Sequence, residues 1–257
     1  MSRISKRYLF DVIDADLSEK MVFISGPRQV GKTTLARQLA GATDLRHPAY
    51  LSWDDVRARP GIRRGEIPPG QPRVILDEIH KYARWRGLVK GLYDTRELGQ
   101  SFLVTGSARL DVYRRGGDSL HGRYHPYRLH PLSLTEVGGQ PNALEVLLRF
   151  GGFPEPFLRG SDRHWRRWQR ERLDRVVRDD VRDLERVREI SLIDLLVEAL
   201  PSRVGSPLSV KSLREDLEVA HDTAERWLGI LENLYVCFRI SPLGAPRIRA
   251  VKKERKL

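Results

Sequence analysis

The stretch Gly26-Pro27-Arg28-Gln29-Val30-Gly31-Lys32-Thr33-Thr34 fits the pattern G-x-x-x-x-G-K-[ST] at every fixed position, and it constrains this chain more than any other feature. It stands between an apolar run, Met21-Val22-Phe23-Ile24, and a helical pattern set by Leu35, Ala36, Leu39 and Ala40. A strand that opens through a glycine-rich turn into a helix makes a cradle for phosphate. Successive backbone N–H groups point inward, and the helix offers the positive end of its dipole to the same anion. The motif assigns residues 26–34 to a nucleoside triphosphate, Lys32 to the β- and γ-phosphates and the Thr33 hydroxyl to Mg²⁺. An α/β fold is expected around it.

Charge is the unusual property of the composition. Among 257 residues, 46 Lys and Arg against 34 Asp and Glu give a net charge of +12, mostly through arginine. Its planar guanidinium suits phosphates and carboxylates, so an anionic partner fits the balance without being required by it. The single cysteine, Cys237, lies in the apolar run Leu234-Tyr235-Val236-Cys237-Phe238 and reads as a small buried hydrophobe. The N-terminal residues carry charge with no apolar segment after them, and no apolar stretch has membrane-spanning length. A cytoplasmic protein without a membrane partner, of one large or two smaller domains, is expected.

Along the chain, Tyr8, Leu9, Val12, Ile13 and Leu17 predict a leading amphipathic helix. Ala49 to Trp53 form a short strand ending at Asp54-Asp55, read as a helix cap, and residues 57–72, rich in Arg, Pro and Gly, read as a loop. The apolar run Val74-Ile75-Leu76 leads directly into Asp77-Glu78. A carboxylate pair at the C-terminal end of a central strand stands where open α/β sheets bind ligands. Asp77 is expected to hold Mg²⁺ together with Thr33, and Glu78 to polarise the water that attacks the γ-phosphate. His80 and Lys81 are expected to begin a solvated helix. Ser101 to Thr105 form another strand, and the Ser107 hydroxyl past its tip either senses the γ-phosphate or belongs to a plain turn. Tyr124 to Leu129 alternate as a fifth strand would, on an edge because of Pro126. His121, His125 and His130 lack the companions that a metal site needs.

Beyond residue 140 the pattern is helical. Trp165, Trp168, Leu173, Val176, Val181, Leu184 and Val187 recur roughly every three or four residues, and Arg alternates with Asp and Glu between them. That self-compensation favours a solvated or subunit-contact face over a nucleic-acid groove. From Ser206 the chain reads as a helix-turn-helix: Ser209 caps Val210 to Leu217, and His221 to Leu231 form the second helix. Tyr235 to Ile240 would begin a wing. His221, Thr223 and Arg226 would then face a DNA groove, while Asp222 and Glu225 oppose a phosphate contact. A DNA reader and a purely structural module both fit.

Together, the glycine-rich loop, Leu76-Asp77-Glu78-Ile79, Thr105-Gly106-Ser107-Ala108, the Gly122-Arg123 pair after Ser119-Leu120, and Gly151-Gly152-Phe153-Pro154-Glu155 follow one another in a familiar order. The chain resembles, nearly end to end, the prokaryotic AAA-type ATPases that carry a C-terminal domain of unknown function. The resemblance implies a five-strand parallel sheet in the order 5-1-4-3-2. It implies an ATPase core over 1–140, a helical lid over 141–204 and a winged-helix-like domain over 205–257, shorter than in the family. It makes Ser107 a sensor and puts Pro154, with Gly152 and Phe153, near the adenine. It also makes Arg123 an arginine on the γ-phosphate, either of its own chain or across a subunit boundary. ATP, ADP and Mg²⁺ are the expected ligands, and the expected activity is ATP hydrolysis driving a switch that acts on DNA or a protein partner, in a homo-oligomer. A slow or non-hydrolysing nucleotide switch is the alternative, and a small-molecule kinase fits poorly because nothing supplies an acceptor pocket. Relatives continue into a domain likened to a nuclease. Nothing near the end of this chain clusters the carboxylates and lysine that such cleavage needs, so no nuclease activity is expected, and the basic tail, 247–257, is expected to extend a DNA contact.

Overall fold

The structure, a computed structural model, describes residues 6–106, 120–139, 141–176, 181, 190–241 and 256–257. The chain divides into two compact units, Met1–Trp165 and Arg166–Leu257.

Five strands organise the first unit: β1 (Met21–Ser25), β2 (Tyr50–Ser52), β3 (Arg73–Asp77), β4 (Ser101–Thr105) and β5 (Tyr124–Arg128). They form one sheet in the order β2-β3-β4-β1-β5, with every pairing parallel. Counted from the other edge, this is the expected 5-1-4-3-2. β1 and β4 are buried at every residue and β3 at all but its first, as strands covered on both faces must be. Proline 126 sits on edge strand β5 opposite Phe23, where its missing N–H can face away from the sheet.

The helices of this unit before β5 are α1 (Phe10–Asp16), α2 (Lys32–Ala40), α3 (Arg59–Arg64) and α4 (Trp85–Asp94). Alternation along β1 sends Val22 and Ile24 to one face and Met21 and Phe23 to the other, and each face has its own core. The first core joins them to Ile13, Leu35 and Leu39, the second to Trp53, Ile62 and Trp85. Helix α3 lies where the sequence suggested a loop. Its Pro60 occupies the first turn, where a missing N–H costs no helical bond, Ile62 is buried, and Gly65 ends the helix with a φ of 74°. After β5 come α5 (Leu134–Val137), α6 (Ala143–Phe150), α7 (Pro154–Arg159) and α8 (Asp162–Arg175), the last crossing into the second unit. Ser133 and Glu136 form a reciprocal capping box at the start of α5.

The second unit contains α9 (Ile190–Ala199), α10 (Val210–Asp216) and α11 (His221–Asn233). Ser209 accepts from the N–H of Ser212 and caps α10 as expected. Leu213, Trp227, Leu228 and Leu231 are fully buried between the helices. Arg239, whose side chain is 7% exposed, pairs with Glu225 at 2.7 Å and Glu232 at 2.8 Å. The strand expected over 235–240 is not formed: Tyr235 takes a φ of 60°, and of these residues Ile240 alone makes a bridge. That bridge runs antiparallel to Lys256, which also bridges Pro207, and the Leu257 carbonyl accepts from the Gly205 N–H at 3.1 Å. Lys256 and Leu257 are thus built into the unit rather than belonging to a free basic tail, most of which lies outside the described residues. Among the described residues no helix is long and apolar enough to cross a membrane.

Candidate functional site

Parallel pairing brings the C-terminal ends of β1, β3 and β4 to one side of the sheet, and the polar residues of the motif gather there by register. The loop leaves β1 through Gly26, which takes a φ of 143° and where a Cβ would lie 2.3 Å from the Leu129 carbonyl oxygen. Gln29 and Gly31 also have positive φ, 62° and 97°, so the chain between Gly26 and Lys32 curls tightly before α2 begins. Lys32 is 8% exposed, and its Nζ donates to the carbonyls of Gly26 at 3.0 Å and Pro27 at 2.7 Å. The ammonium is folded over its own loop.

Thr105 lies in register with both Ile24 of β1 and Asp77 of β3. The Asp77 side chain, in a residue 8% exposed, accepts from the hydroxyls of Thr33 at 3.4 Å, of Tyr50 and of Thr105. Burial, and then the bond to Asp77, raise the Tyr50 phenol well above its ordinary value, so it remains a donor at neutral pH. A carboxylate and a threonine hydroxyl are hard oxygen donors, which fits Mg²⁺; Thr33 and Asp77 are the residues that would hold it. Among the described residues no cluster of three or more His, Cys, Asp or Glu forms a site of another kind. Tyr50 and Thr105 escape sequence reasoning because their roles depend on strand register; a hydroxyl at the tip of the strand beside Asp77 was the available signal.

Glu78 follows with a φ of 54°, a strained conformation for a residue with a Cβ, and its N–H donates to the Thr105 carbonyl at 3.0 Å. Its carboxylate lies 3.3 Å from Lys81 Nζ and 3.7 Å from His80 Nε2. Lys81 also bonds Asp54 at 2.7 Å. This corrects three expectations. His80 is 4% exposed rather than solvated, drawn inward with buried Ile79 by the tight turn after β3. Lys81 is engaged with two carboxylates. Asp54 pairs with Lys81 and Asp55 with Arg57, and neither caps a helix.

The remaining candidates are dispersed. Ser107 lies outside the described residues. Arg123 precedes β5 at the other end of the sheet, since Tyr124 is in register with Met21 and Arg128 with Ser25. The length of β5, about 13 Å, separates it from the phosphate loop. Its guanidinium pairs with Asp94 at 2.8 Å, at the C-terminal end of α4. The expected place next to the phosphate loop is thus not where this structure puts Arg123. Pro154 opens α7 next to Phe153, which packs against the core that contains Val30 of the loop, and the Gly152 carbonyl accepts from the Leu132 N–H at 2.7 Å. In the second unit, His221 and Arg226 are exposed and Thr223 is half-buried. Cys237 is half-buried, and burial pushes its thiol up to about 11, which keeps it protonated and unreactive at neutral pH.

With this geometry established, comparison with known proteins is informative. Residues 18–138 match the family described as AAA domain, and residues 142–257 match a domain of unknown function. The chain is 26% identical over 224 residues to an uncharacterized protein of Mycobacterium tuberculosis, covering 86% of this chain and 50% of that one. It is 22% identical over 266 residues to an uncharacterized protein of Methanocaldococcus jannaschii, covering 90% of this chain and 59% of that one. The chain thus spans about half the length of the curated relatives it matches. Among solved structures, AMPPCP-bound DnaA from Aquifex aeolicus aligns with a TM-score of 0.43 and 16% identity, over 86% of each chain. The Thermotoga maritima RuvB Holliday junction branch migration motor aligns with a TM-score of 0.42 and 16% identity, over 95% of this chain and 91% of that one. At such scores the strand order and the loop, not these overlays, carry the fold assignment. The sheet order and the phosphate loop give residues 21–128 a P-loop fold, and the chain is similar to the AAA domain family over 18–138 and to a domain of unknown function over 142–257.

Proposed function

We propose that the chain binds ATP with Mg²⁺ and hydrolyses it to ADP and phosphate, using the cycle as a switch. The observation that carries this reading is the convergence of the Thr33, Tyr50 and Thr105 hydroxyls on the Asp77 carboxylate, with Glu78 next in sequence. In this scheme Mg²⁺ supplies charge neutralisation at the phosphates. Loop N–H groups and Lys32 bind the β- and γ-phosphates, the ammonium exchanging its loop carbonyls for phosphate oxygens. Glu78 accepts the proton of the attacking water. Pro154 and its neighbours border the adenine, and Ser107 reports on the γ-phosphate.

The pairing of Glu78 with Lys81 favours a second reading for the isolated chain, a slow nucleotide switch. A carboxylate engaged by the Lys81 ammonium is not free to receive a water's proton, so turnover would wait until that pair opens. Arg123, turned away from its own loop, would serve a neighbouring copy in a homo-oligomer. The helix pair α10–α11, with the bridge of Ile240 to Lys256, is read as a winged helix that offers His221, Thr223 and Arg226 to DNA. The core, lid and winged-helix divisions at 140 and 204 belong to the same proposal.

Phosphate release by the pure protein, with and without duplex DNA, tests the reading. Turnover that Lys32→Ala abolishes together with ATP binding is expected. Tight ATP binding without release, in the presence or absence of DNA, would select the slow switch, and no nucleotide binding would end both.

A further inference from the structure

Arg7 stands just ahead of α1 and is 8% exposed, and the scheme above gives it no task. Its guanidinium serves three acceptors: Nε donates to Glu136 Oε1 at 2.7 Å, Nη1 to the Val30 carbonyl at 2.7 Å and Nη2 to the His130 carbonyl at 2.5 Å. A rigid planar fork can hold such a set at once, and a lysine ammonium cannot. The guanidinium lies directly against the loop there: a Cβ on Gly31 would meet Nη1 at 3.4 Å, a contact distance.

A trans peptide directs its C=O and the following N–H to opposite sides. Fixing the Val30 carbonyl toward Arg7 therefore turns the Gly31 N–H away from Arg7, at the point where the loop enters α2. On its other side, Arg7 meets Glu136, whose second oxygen accepts from the Ser133 N–H at 2.9 Å and Ser133 Oγ at 3.0 Å. The same Oε1 that pairs with Arg7 also accepts from the Tyr8 N–H at 3.1 Å. One buried side chain thus links the phosphate loop to the segment between β5 and α5.

We propose that Arg7 is a positioning residue that sets the Val30–Gly31 peptide in its phosphate-receiving orientation and ties the loop mechanically to α5. The proposal rests on the nucleotide-site reading for its consequence, though the restraint on the loop is independent of it. Arg7→Met combined with Glu136→Leu tests it, because replacing both members of a buried ion pair by apolar groups strands neither charge. The expected result is about tenfold faster amide exchange over residues 26–34 without nucleotide and about tenfold weaker ATP binding, the scale of one charge-assisted hydrogen bond. Exchange in β3 and β4 should stay at the parent level, which a general loss of stability would not allow. Arg7→Lys, which keeps the charge, should show the same two effects in weaker form and decides the matter where the double variant does not fold. Parent-like loop exchange in a folded variant overturns the proposal. Faster exchange in a protein whose parent binds no ATP would instead retain the restraint and remove the nucleotide reading.

Discussion

At the phosphate end of the sheet the buried polar atoms converge, with Lys32 on the loop carbonyls and three hydroxyls on Asp77. In the α10–α11 pair the reverse holds. The interior is Leu213, Trp227, Leu228 and Leu231, while His221, Asp222 and Arg226 are turned to solvent. Burying polar groups is costly unless they are matched, so a site that does it several times within one loop and two strand tips is built for something other than stability. Beside the helix pair the buried charge is Arg239, matched by Glu225 and Glu232, and the helix-helix interior itself is apolar. The pair's outward residues could be exchanged without disturbing the fold, and its chemistry rests on what approaches it.

Arg123 gives the largest expected effect. It is paired with Asp94 at the far end of the sheet from its own phosphate loop, so Arg123→Ala should leave ATP affinity intact and lower turnover by about a thousandfold if it acts on a neighbour, as loss of an arginine finger does. Mixing Arg123→Ala with Lys32→Ala should then restore activity, because mixed assemblies contain an intact site next to an intact arginine. Unchanged turnover in Arg123→Ala would reduce the residue to a tether of α4.

Glu78→Gln should keep ATP binding and lower turnover by roughly a hundredfold or more, the usual contribution of a general base. Steady-state phosphate release against equilibrium ATP binding separates the two effects. A variant as active as the parent would remove Glu78 from the chemistry and leave the strained φ of 54° unexplained.

Trp227→Ala addresses the other side of the comparison. The indole is 1% exposed in the core of the helix pair, and its removal should cost about 3–5 kcal/mol of stability. Thermal unfolding would show the loss in the second unit while ATP binding by the first persists. Simultaneous loss of ATP binding would mean that the two units do not stand apart.

How much of this was legible in the sequence follows the same division. A glycine-rich loop between a strand and a helix has one economical structure, and the apolar runs at 21–24, 74–76 and 101–105 read directly as covered parallel strands. Side chains recruited by register were invisible: Tyr50 and Thr105 reach Asp77 because β2 and β4 flank β3, which no local pattern encodes. Helix α3 was hidden because Pro60 and Gly61 read as breakers, although a proline in a first turn starts helices as readily as it ends them. Arg7 looked like one of many surface arginines, since its acceptors lie 23 and more residues away. In the second unit the helix pair and its cap were legible, but the strand expected over 235–240 is not formed. The apolar run there starts at Tyr235 with a φ of 60°, and Arg239 after it turns inward to Glu225 and Glu232 instead of joining a sheet.

That buried Arg239 bears on the smallest predicted effect. Glu225 and Asp222 both sit on the helix proposed to face DNA and both would repel phosphate, but Glu225 is engaged at 2.7 Å by Arg239, so its charge is largely answered within the unit. Asp222, with its side chain fully exposed, is the remaining repulsive group next to His221. If DNA binds this face, Arg226→Ala should weaken binding uniformly across sequences and flatten its dependence on salt by about one released counterion. Asp222→Asn should strengthen binding by a smaller factor and steepen nothing, since it removes repulsion without adding a phosphate contact. Binding isotherms at several salt concentrations distinguish these slopes. Identical slopes in the parent and Arg226→Ala would assign the helix pair a structural role and leave the phosphate site as the part of this molecule that carries chemistry.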